Sequence, residues 1–432
     1  MLRLLDFTDQ VDLPVLPRAG FSVDSALGAV TEICDAVRDQ GEKALRDFSQ
    51  RFDHVTPESL RVPQEAIDDA VATLDPALRA AIELAIVRRR LVCEQLETEP
   101  DVRYVSVAPG SRIGYRVEPV TRVGLYVPGG LAPLSSSVLM NAVPAQVAGV
   151  GSIAVASSPQ VRFGGLPHPT ILGVCGLLGL TEVYAVGGAQ AIAMFAYGVP
   201  GLCAPVDLVT GPGNVYVAAA KRHLQGLIGI DAEAGPTEIA ILADAGADPA
   251  YVAADLVSQA EHDPLAGAVL VTDSSELAAA VEAEVETRVA SHELRERLEQ
   301  SLGGDQSAII LVRDIDQGLA VVDAYAAEHL EIMTADAPAV AARVRHAGAI
   351  FVGPYSPVSL GDYAAGSTHV LPTGGTARFA SGLVVRSFTK AMHIIEYDQP
   401  ALQAIADDVV AFAYAEHLPG HAQAITVRTG KP

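Results

Sequence analysis

Residues 123–156 read VGLYVPGGLAPLSSSVLMNAVPAQVAGVGSIAVA, and the order of patterns in this stretch sets the fold class. A β-rich run, Gly124–Val127, ends at Pro128-Gly129-Gly130. A helical piece, Ser135–Ala148, follows, and then a second β-rich run, Ser152–Ala156. Strands that are apolar throughout belong to sheets covered on both faces, and strand–helix–strand alternation makes the neighbouring strands parallel. The rhythm continues with β-rich Val183–Val186 and Val206–Thr210 and helical Pro169–Leu178 and Ala189–Ala196. From Val123 to Val206 the only Asp, Glu, Lys or Arg are Arg162 and Glu182, yet no membrane span fits. Pro128, Pro133, Pro144, Pro159, Pro167, Pro169, Pro200 and Pro205 cut the run too short.

A second alternating series extends outward: Glu238–Ala243, a helix to His262, Ala268–Thr272, a helix to about Leu302, Ser307–Val312, a helix to Ala327, His329–Met333, another helix, and Ala349–Val352. The fold class is therefore α/β, with two doubly wound, incompletely Rossmann-like lobes, an extended N-terminal arm and a small helical C-terminal segment. The expected domains are an arm (1–25), a first α/β domain (26–122 with 238–385), a second α/β domain on the cofactor side (123–237) and a C-terminal helical segment (386–432). Ser22–Arg51 suggests one or two helices interrupted near Gly41. Pro63–Leu96 suggests a second helical tract whose Arg88-Arg89-Arg90 reads as a solvated face, and Arg112–Val123 alternates like a strand pair. The tail is helical from about Pro400 to His417, where Pro419-Gly420 breaks it.

Half of the 432 residues are hydrophobic and 19% are charged, which excludes a disordered chain. A net charge of −23 without a large Lys/Arg cluster repels a phosphate backbone, so nucleic acid is not an expected partner. Cys34, Cys93, Cys175 and Cys203 are scattered and form no Cys-x-x-Cys, which reads as buried thiols in a reducing compartment. Asp6 interrupts the N-terminus before a signal-type apolar core can build, and the expectation is a cytoplasmic protein.

Several stretches carry chemistry. In Ser258-Gln259-Ala260-Glu261-His262-Asp263-Pro264, Gln259 and His262 stand three apart at the end of a helix from Tyr251, stopped by Pro264. They suit half of a metal or substrate site, or simply a solvated helix end with His262 near the negative end of the dipole. Gly211-Pro212-Gly213-Asn214 joins a strand to the helix Val215–Leu224, so backbone N–H groups could meet an anion there; a purely structural turn reads equally well. A Rossmann fingerprint and a Walker A motif are both missing, and Gly149-Val150-Gly151 has the wrong element order. The loop from Gly361 to His369 offers Asp362 and His369, and Thr373–Arg378 extends it. Ala-Glu-His occurs at 260–262, 327–329 and 415–417. The second sits at a helix-to-strand junction, where Glu328 and His329 suit general-base work if the backbone bends to bring both to one site. His421 stands four after His417 with Pro419-Gly420 between. Spacing alone leaves a metalloenzyme of unknown reaction.

From about Val30 to Arg428 the chain resembles the histidinol dehydrogenases. The resemblance is carried by Tyr126-Val127-Pro128-Gly129-Gly130, Gly187-Gly188-Ala189-Gln190-Ala191, Gly211–Asn214 with Lys221, and Ile230-Asp231. It continues through Ala234-Gly235-Pro236-Thr237-Glu238, Gln259–His262, Glu328–Glu331 and Gly361–His369. It implies NAD-dependent, four-electron oxidation of L-histidinol to L-histidine through the aldehyde, with one zinc per subunit. By matched position Gln259, His262, Asp362 and His421 would hold zinc, and Glu328 and His329 would be the acid/base pair. Substrate would touch Thr237, Gln259, His262, His329, Asp362, His369, Glu416 and His421, and the cofactor would touch Tyr126, Gln190 and Asn214. The resemblance also implies a homodimer whose C-terminal segment completes the partner's site. Thr237 stands where a serine is usual, which keeps the hydroxyl, and His417 where a small residue is usual. The rival readings are a zinc- and NAD-dependent dehydrogenase of another amino alcohol, and a zinc hydrolase with Glu328 as base. A non-catalytic ligand-binding protein built of two α/β lobes is the third.

Overall fold

A computed structural model describes residues 1–10, 16, 18–19, 23–99, 102–129, 133–233 and 235–430. Part of the expected arm (11–15, 17, 20–22) and the motif residues Gly130 and Ala234 lie outside the described residues. By contact the chain forms two units, Met1–Glu97 with Thr121–Phe388, and Thr98–Val120 with Thr389–Pro432.

In the larger unit, β1 (Arg3–Asp6) precedes the helices α1 (Val23–Gln40), α2 (Glu42–Phe48), α3 (Gln64–Ala72) and α4 (Pro76–Val92). Gly41, at φ 57°, makes the break between α1 and α2. The tract expected from Pro63 to Leu96 is interrupted before α4, because Asp75 caps a new N-terminus with Pro76 in its first turn. In the smaller unit, β2 (Val102–Ala108) and β3 (Ser111–Pro119) form an antiparallel pair.

The first lobe runs β4 (Arg122–Val127), α5 (Ser136–Val147), β5 (Ser152–Ser157), α6 (Pro169–Leu177), β6 (Val183–Ala185), α7 (Gly188–Tyr197), β7 (Leu208–Thr210), α8 (Val215–Leu224) and β8 (Gly229–Ile230). The second runs β9 (Glu238–Ala243), α9 (Pro249–Ala260), β10 (Gly267–Thr272), α10 (Ser275–Ala290), α11 (Arg295–Leu302), β11 (Ala308–Leu311), α12 (Ile315–Tyr325), β12 (His329–Met333), α13 (Ala337–Ala341), β13 (Ala349–Val352) and α14 (Val358–Tyr363). Both sheets are parallel, ordered β6-β5-β4-β7-β8 and β1-β11-β10-β9-β12-β13. The strand order reverses between β4 and β7 and again between β9 and β12, as in doubly wound folds. This is the expected α/β class. The arm is not wholly extended coil, since β1 pairs with β11 as an edge strand.

The smaller unit ends with β14 (Thr389–Tyr397), α15 (Gln399–Ala415) and α16 (Pro419–Thr429). Its first element is a strand, so this tail is not all helical: β14 pairs antiparallel with β3 over nine residues from Thr389↔Pro119 to Tyr397↔Ser111. The strand pair expected over Arg112–Val123 is likewise corrected, because β3 joins β2 and β14 while β4 enters the first parallel sheet. α15 ends at Ala415, ahead of the expected break at Pro419-Gly420, and Pro419 starts a further helix, since its fixed φ suits a first helical turn.

Candidate active site

Tyr126, Gln190 and Asn214, the residues expected to meet the cofactor, collect at the carboxyl ends of β4, β6 and β7, the switch-point edge where doubly wound sheets bind ligands. Tyr126 lies near the end of β4, and its Oη accepts the Gly188 N–H at the start of α7 at 3.1 Å. Gln190, in the first turn of α7, is 2% exposed. Asn214 caps α8, with Oδ1 accepting from Tyr216 N at 3.1 Å and Val217 N at 3.2 Å. Gly211 has φ 115°, and a Cβ there would collide with the Tyr126 carbonyl oxygen, so only glycine fits the turn. The turn is braced from beneath. Lys221 Nζ and Asp231 Oδ1 pair at 2.6 Å, Asp231 Oδ2 accepts the Gly211 N–H at 2.8 Å, and Lys221 also donates to the Gly211 carbonyl.

Glu328 and His329, the expected acid/base pair, sit at the opposite kind of edge, the amino ends of β9 and β12. The bend at Glu328, after Ala326 at φ 52°, turns two neighbouring side chains toward one point, residues 237–238. Glu328 Oε2 accepts Thr237 Oγ1–H at 2.6 Å and the Glu238 N–H at 3.1 Å. Thr237 Oγ1 in turn accepts from Gln259 Nε2 at 2.7 Å. Gln259 Oε1, which is buried, has no hydrogen-bond partner among the described residues. His329 Nδ1 lies 3.2 Å from the Glu238 carbonyl oxygen, which makes it the N–H nitrogen and leaves Nε2 with the lone pair. That Nε2 is buried and without a partner among the described residues.

Burial separates the two groups electrostatically. It raises the Glu328 carboxyl to about 8, against the opposing hydrogen bonds from Thr237 and Glu238. It lowers the His329 imidazole, with the Asp362 charge pulling the other way. His329 is therefore neutral near pH 7, with a free basic nitrogen. Asp362, in the last turn of α14, is raised by burial and held back by His329 and His262. His369 Nδ1 lies 3.2 Å from the Asp362 carbonyl oxygen and Nε2 lies 3.2 Å from Ser137 Oγ on α5, so this ring clips the loop to the first lobe. Burial pushes it down to about 4.

α9 ends at Ala260 and Glu261 is its C-cap, so His262 stands beyond the helix rather than on its last turn. Gln259 is buried and His262 exposed, with Nδ1 3.1 Å from the Ser258 carbonyl oxygen. The smaller unit holds Glu416, the C-cap of α15, and His421, in the first turns of α16; both are exposed.

The histidinol dehydrogenase family profile matches residues 16–429. The chain belongs to the histidinol dehydrogenase family. It is 64% identical to a histidinol dehydrogenase of Cutibacterium acnes over the full length of both chains. It is 62% identical to one from Thermobifida fusca, over 96% of this chain and 94% of that one. A solved histidinol dehydrogenase of Elizabethkingia anophelis superposes with a TM-score of 0.90 at 30% identity, covering 99% and 98% of the two chains.

Of the residues that the family resemblance implied, the fold joins Thr237, Gln259 and Glu328 by hydrogen bonds. It brings His329, His262 and Asp362 within electrostatic reach of one another. Among the described residues no group of three or more His, Cys, Asp or Glu gathers that could hold a metal by itself. Sequence reading missed the clamps behind the site. Arg89, expected on a solvated face, is fully buried. It pairs with Glu97 at 2.5 Å and donates to the Gly366 and Leu383 carbonyls, holding the loop that carries Asp362 and His369. A charged residue on the core side of an amphipathic helix was the available signal.

Proposed function

We propose that the chain oxidises L-histidinol to L-histidine through L-histidinaldehyde, reducing two NAD, with His329 and Glu328 as its acid/base pair. The observation that carries this reading is the unpartnered, buried Nε2 of a neutral His329 beside the high-pKa carboxyl of Glu328. In the first oxidation His329 Nε2 takes the alcohol proton while the carbon loses hydride to NAD. The aldehyde is then hydrated: ionised Glu328 takes a proton from water as the water oxygen bonds to the carbonyl carbon, and the carbonyl oxygen takes back the proton held by His329. In the second oxidation neutral His329 takes a hydroxyl proton of the hydrate as the carbon passes hydride to the second NAD, and the acid so formed loses its remaining proton to solvent as the carboxylate product. Both steps suit groups held in place by the Thr237 hydroxyl and the Glu238 backbone.

Gln259, His262 and Asp362 fit a zinc ion, and His421, which the family resemblance assigns to a site completed by the other subunit's C-terminal segment, would be the fourth donor. Gln259 Oε1 is buried with an unused lone pair, because its Nε2 is committed to Thr237. Asp362 supplies a carboxylate and His262 an imidazole, donors zinc accepts. When bound, zinc would fix the amino-alcohol substrate and draw electron density from its oxygen. In the same reading Thr237, His369 and Glu416 help shape the substrate pocket, and Tyr126, Gln190 and Asn214 meet NAD at the β4–β7 edge. The smaller unit's exposed apolar residues, including Val105, Val107, Ile395, Phe412 and Val427, support its burial in a homodimer. With four buried free cysteines, the enzyme belongs in a reducing cytoplasm. Among the described residues no helix is long and apolar enough to cross a membrane.

The test is stoichiometry and metal dependence. Two NADH should form per histidinol, the activity should vanish with a strong chelator, and zinc should restore it. One NADH with aldehyde released would point to a simple amino-alcohol dehydrogenase.

A further inference from the structure

Glu331 lies on the face of β12 that packs on an apolar cluster containing Ile239, Ile241, Leu256, Val257 and Val358. It is 1% exposed. A carboxyl in such surroundings is costly unless it is hydrogen-bonded. Its Oε1 accepts the Val358 N–H at the start of α14 at 3.0 Å. Its Oε2 is buried and receives no donor, and the facing group is another carboxyl, Asp255 of α9. Burial raises both, Glu331 well above the usual carboxyl range and Asp255 to about 6. A single proton between them satisfies both oxygens, whereas two ionised carboxylates could not share the position.

Each of the three elements met at this carboxyl carries a site residue one structural period away. His329 is two positions before Glu331, on the same face of β12. Gln259 is four after Asp255 on α9, and Asp362 is four after Val358 on α14. We infer that Glu331 is a positioning residue: its carboxyl ties β12 to α9 and α14, and so holds His329, Gln259 and Asp362 in register at one site. Replacement by an apolar side chain would suit the core cluster but leave the three elements free to shift by fractions of an ångström, which catalytic geometry does not tolerate. The inference rests on the proposed assignment of those three residues.

The experiment compares E331Q and E331M in the full-length enzyme, with kcat normalised to folded protein by thermal melting. The side-chain amide of E331Q would keep an acceptor for Val358 N–H and a donor for Asp255, so kcat is expected within about two-fold of wild type. E331M is expected to lose kcat by more than about tenfold with KM for NAD unchanged. A merely structural role would lower the folded fraction and leave kcat per folded enzyme alone. Wild-type kcat in E331M overturns the inference, as does E331Q falling as far as E331M, which would mean that the charge matters rather than the tie. If E331M does not fold, D255A from the partly exposed side should show the same kcat loss, and an unchanged kcat there overturns it equally. Full turnover in H329N would instead remove the site assignment beneath, a separately readable failure.

Discussion

Glu328 and His329 are adjacent in the chain, and the same burial moves their proton affinities in opposite directions, toward a carboxyl that keeps its proton to about 8 and an imidazole that stays neutral. Two groups so separated can divide the work of two oxidations. H329N should lower kcat by about 10²–10⁴-fold without abolishing NAD binding, measured by steady-state kinetics and cofactor titration. E328Q should spare the first oxidation, so that histidinol is turned over with about one NADH each and the aldehyde can be trapped. In the proposed role Glu328 acts on water as the ionised carboxylate, so the overall rate should rise with pH through about 8, and E328Q should lose that limb. T237V should shift the limb upward, since the Thr237 hydroxyl favours the ionised carboxylate, while T237S should leave it in place. The sign for stability is the reverse of the sign for activity. A carboxyl raised on folding contributes stability below its unfolded range, and this is lost as pH rises through about 8.

At the scale of elements, the two parallel sheets are used at opposite edges: the first lobe presents the carboxyl ends of β4 and β7, and the second the amino ends of β9 and β12. The Gly211–Asn214 turn depends on Lys221 and Asp231, whose side chains are 2% and 6% exposed. K221M would leave a buried carboxylate without its cation, a loss on the order of 3–5 kcal/mol. Its expected signature is a lower melting temperature and a KM for NAD raised by about tenfold, with KM for histidinol little changed. Equal effects on both KM values would show that the brace serves the whole fold and not the turn.

In the molecule as a whole, the small unit carries Glu416 at the C-cap of α15 and His421 on α16, and β2 is exposed along its whole length. The proposed homodimer with shared sites is tested by complementation. H329N and H421A chains, each nearly inactive alone, unfolded and refolded together, should recover roughly a quarter of wild-type activity, because half of the random dimers then hold one intact site. A mixture that stays inactive would place His421 in the site of its own chain.

The strands Glu238–Ala243, His329–Met333 and Ala349–Val352 and the helix Val215–Leu224 stand where the sequence alone placed them, because continuous apolar runs and capped helix starts are local signals. The α/β class and the family were equally legible, the one from alternation and the other from long motifs in order. Other features depended on distant partners. The run Arg112–Val123 looked like one strand pair, but β14, some 270 residues later, claims β3 for another sheet. Arg89 looked solvated until the loop at Gly366 and Leu383 closed over it. Glu328 and His329 were visible as a pair, yet their proton affinities came only from the low-dielectric pocket that packing builds around them. Periodicity records which face a residue turns inward; what it meets there, and hence which protons it holds, is decided by the fold.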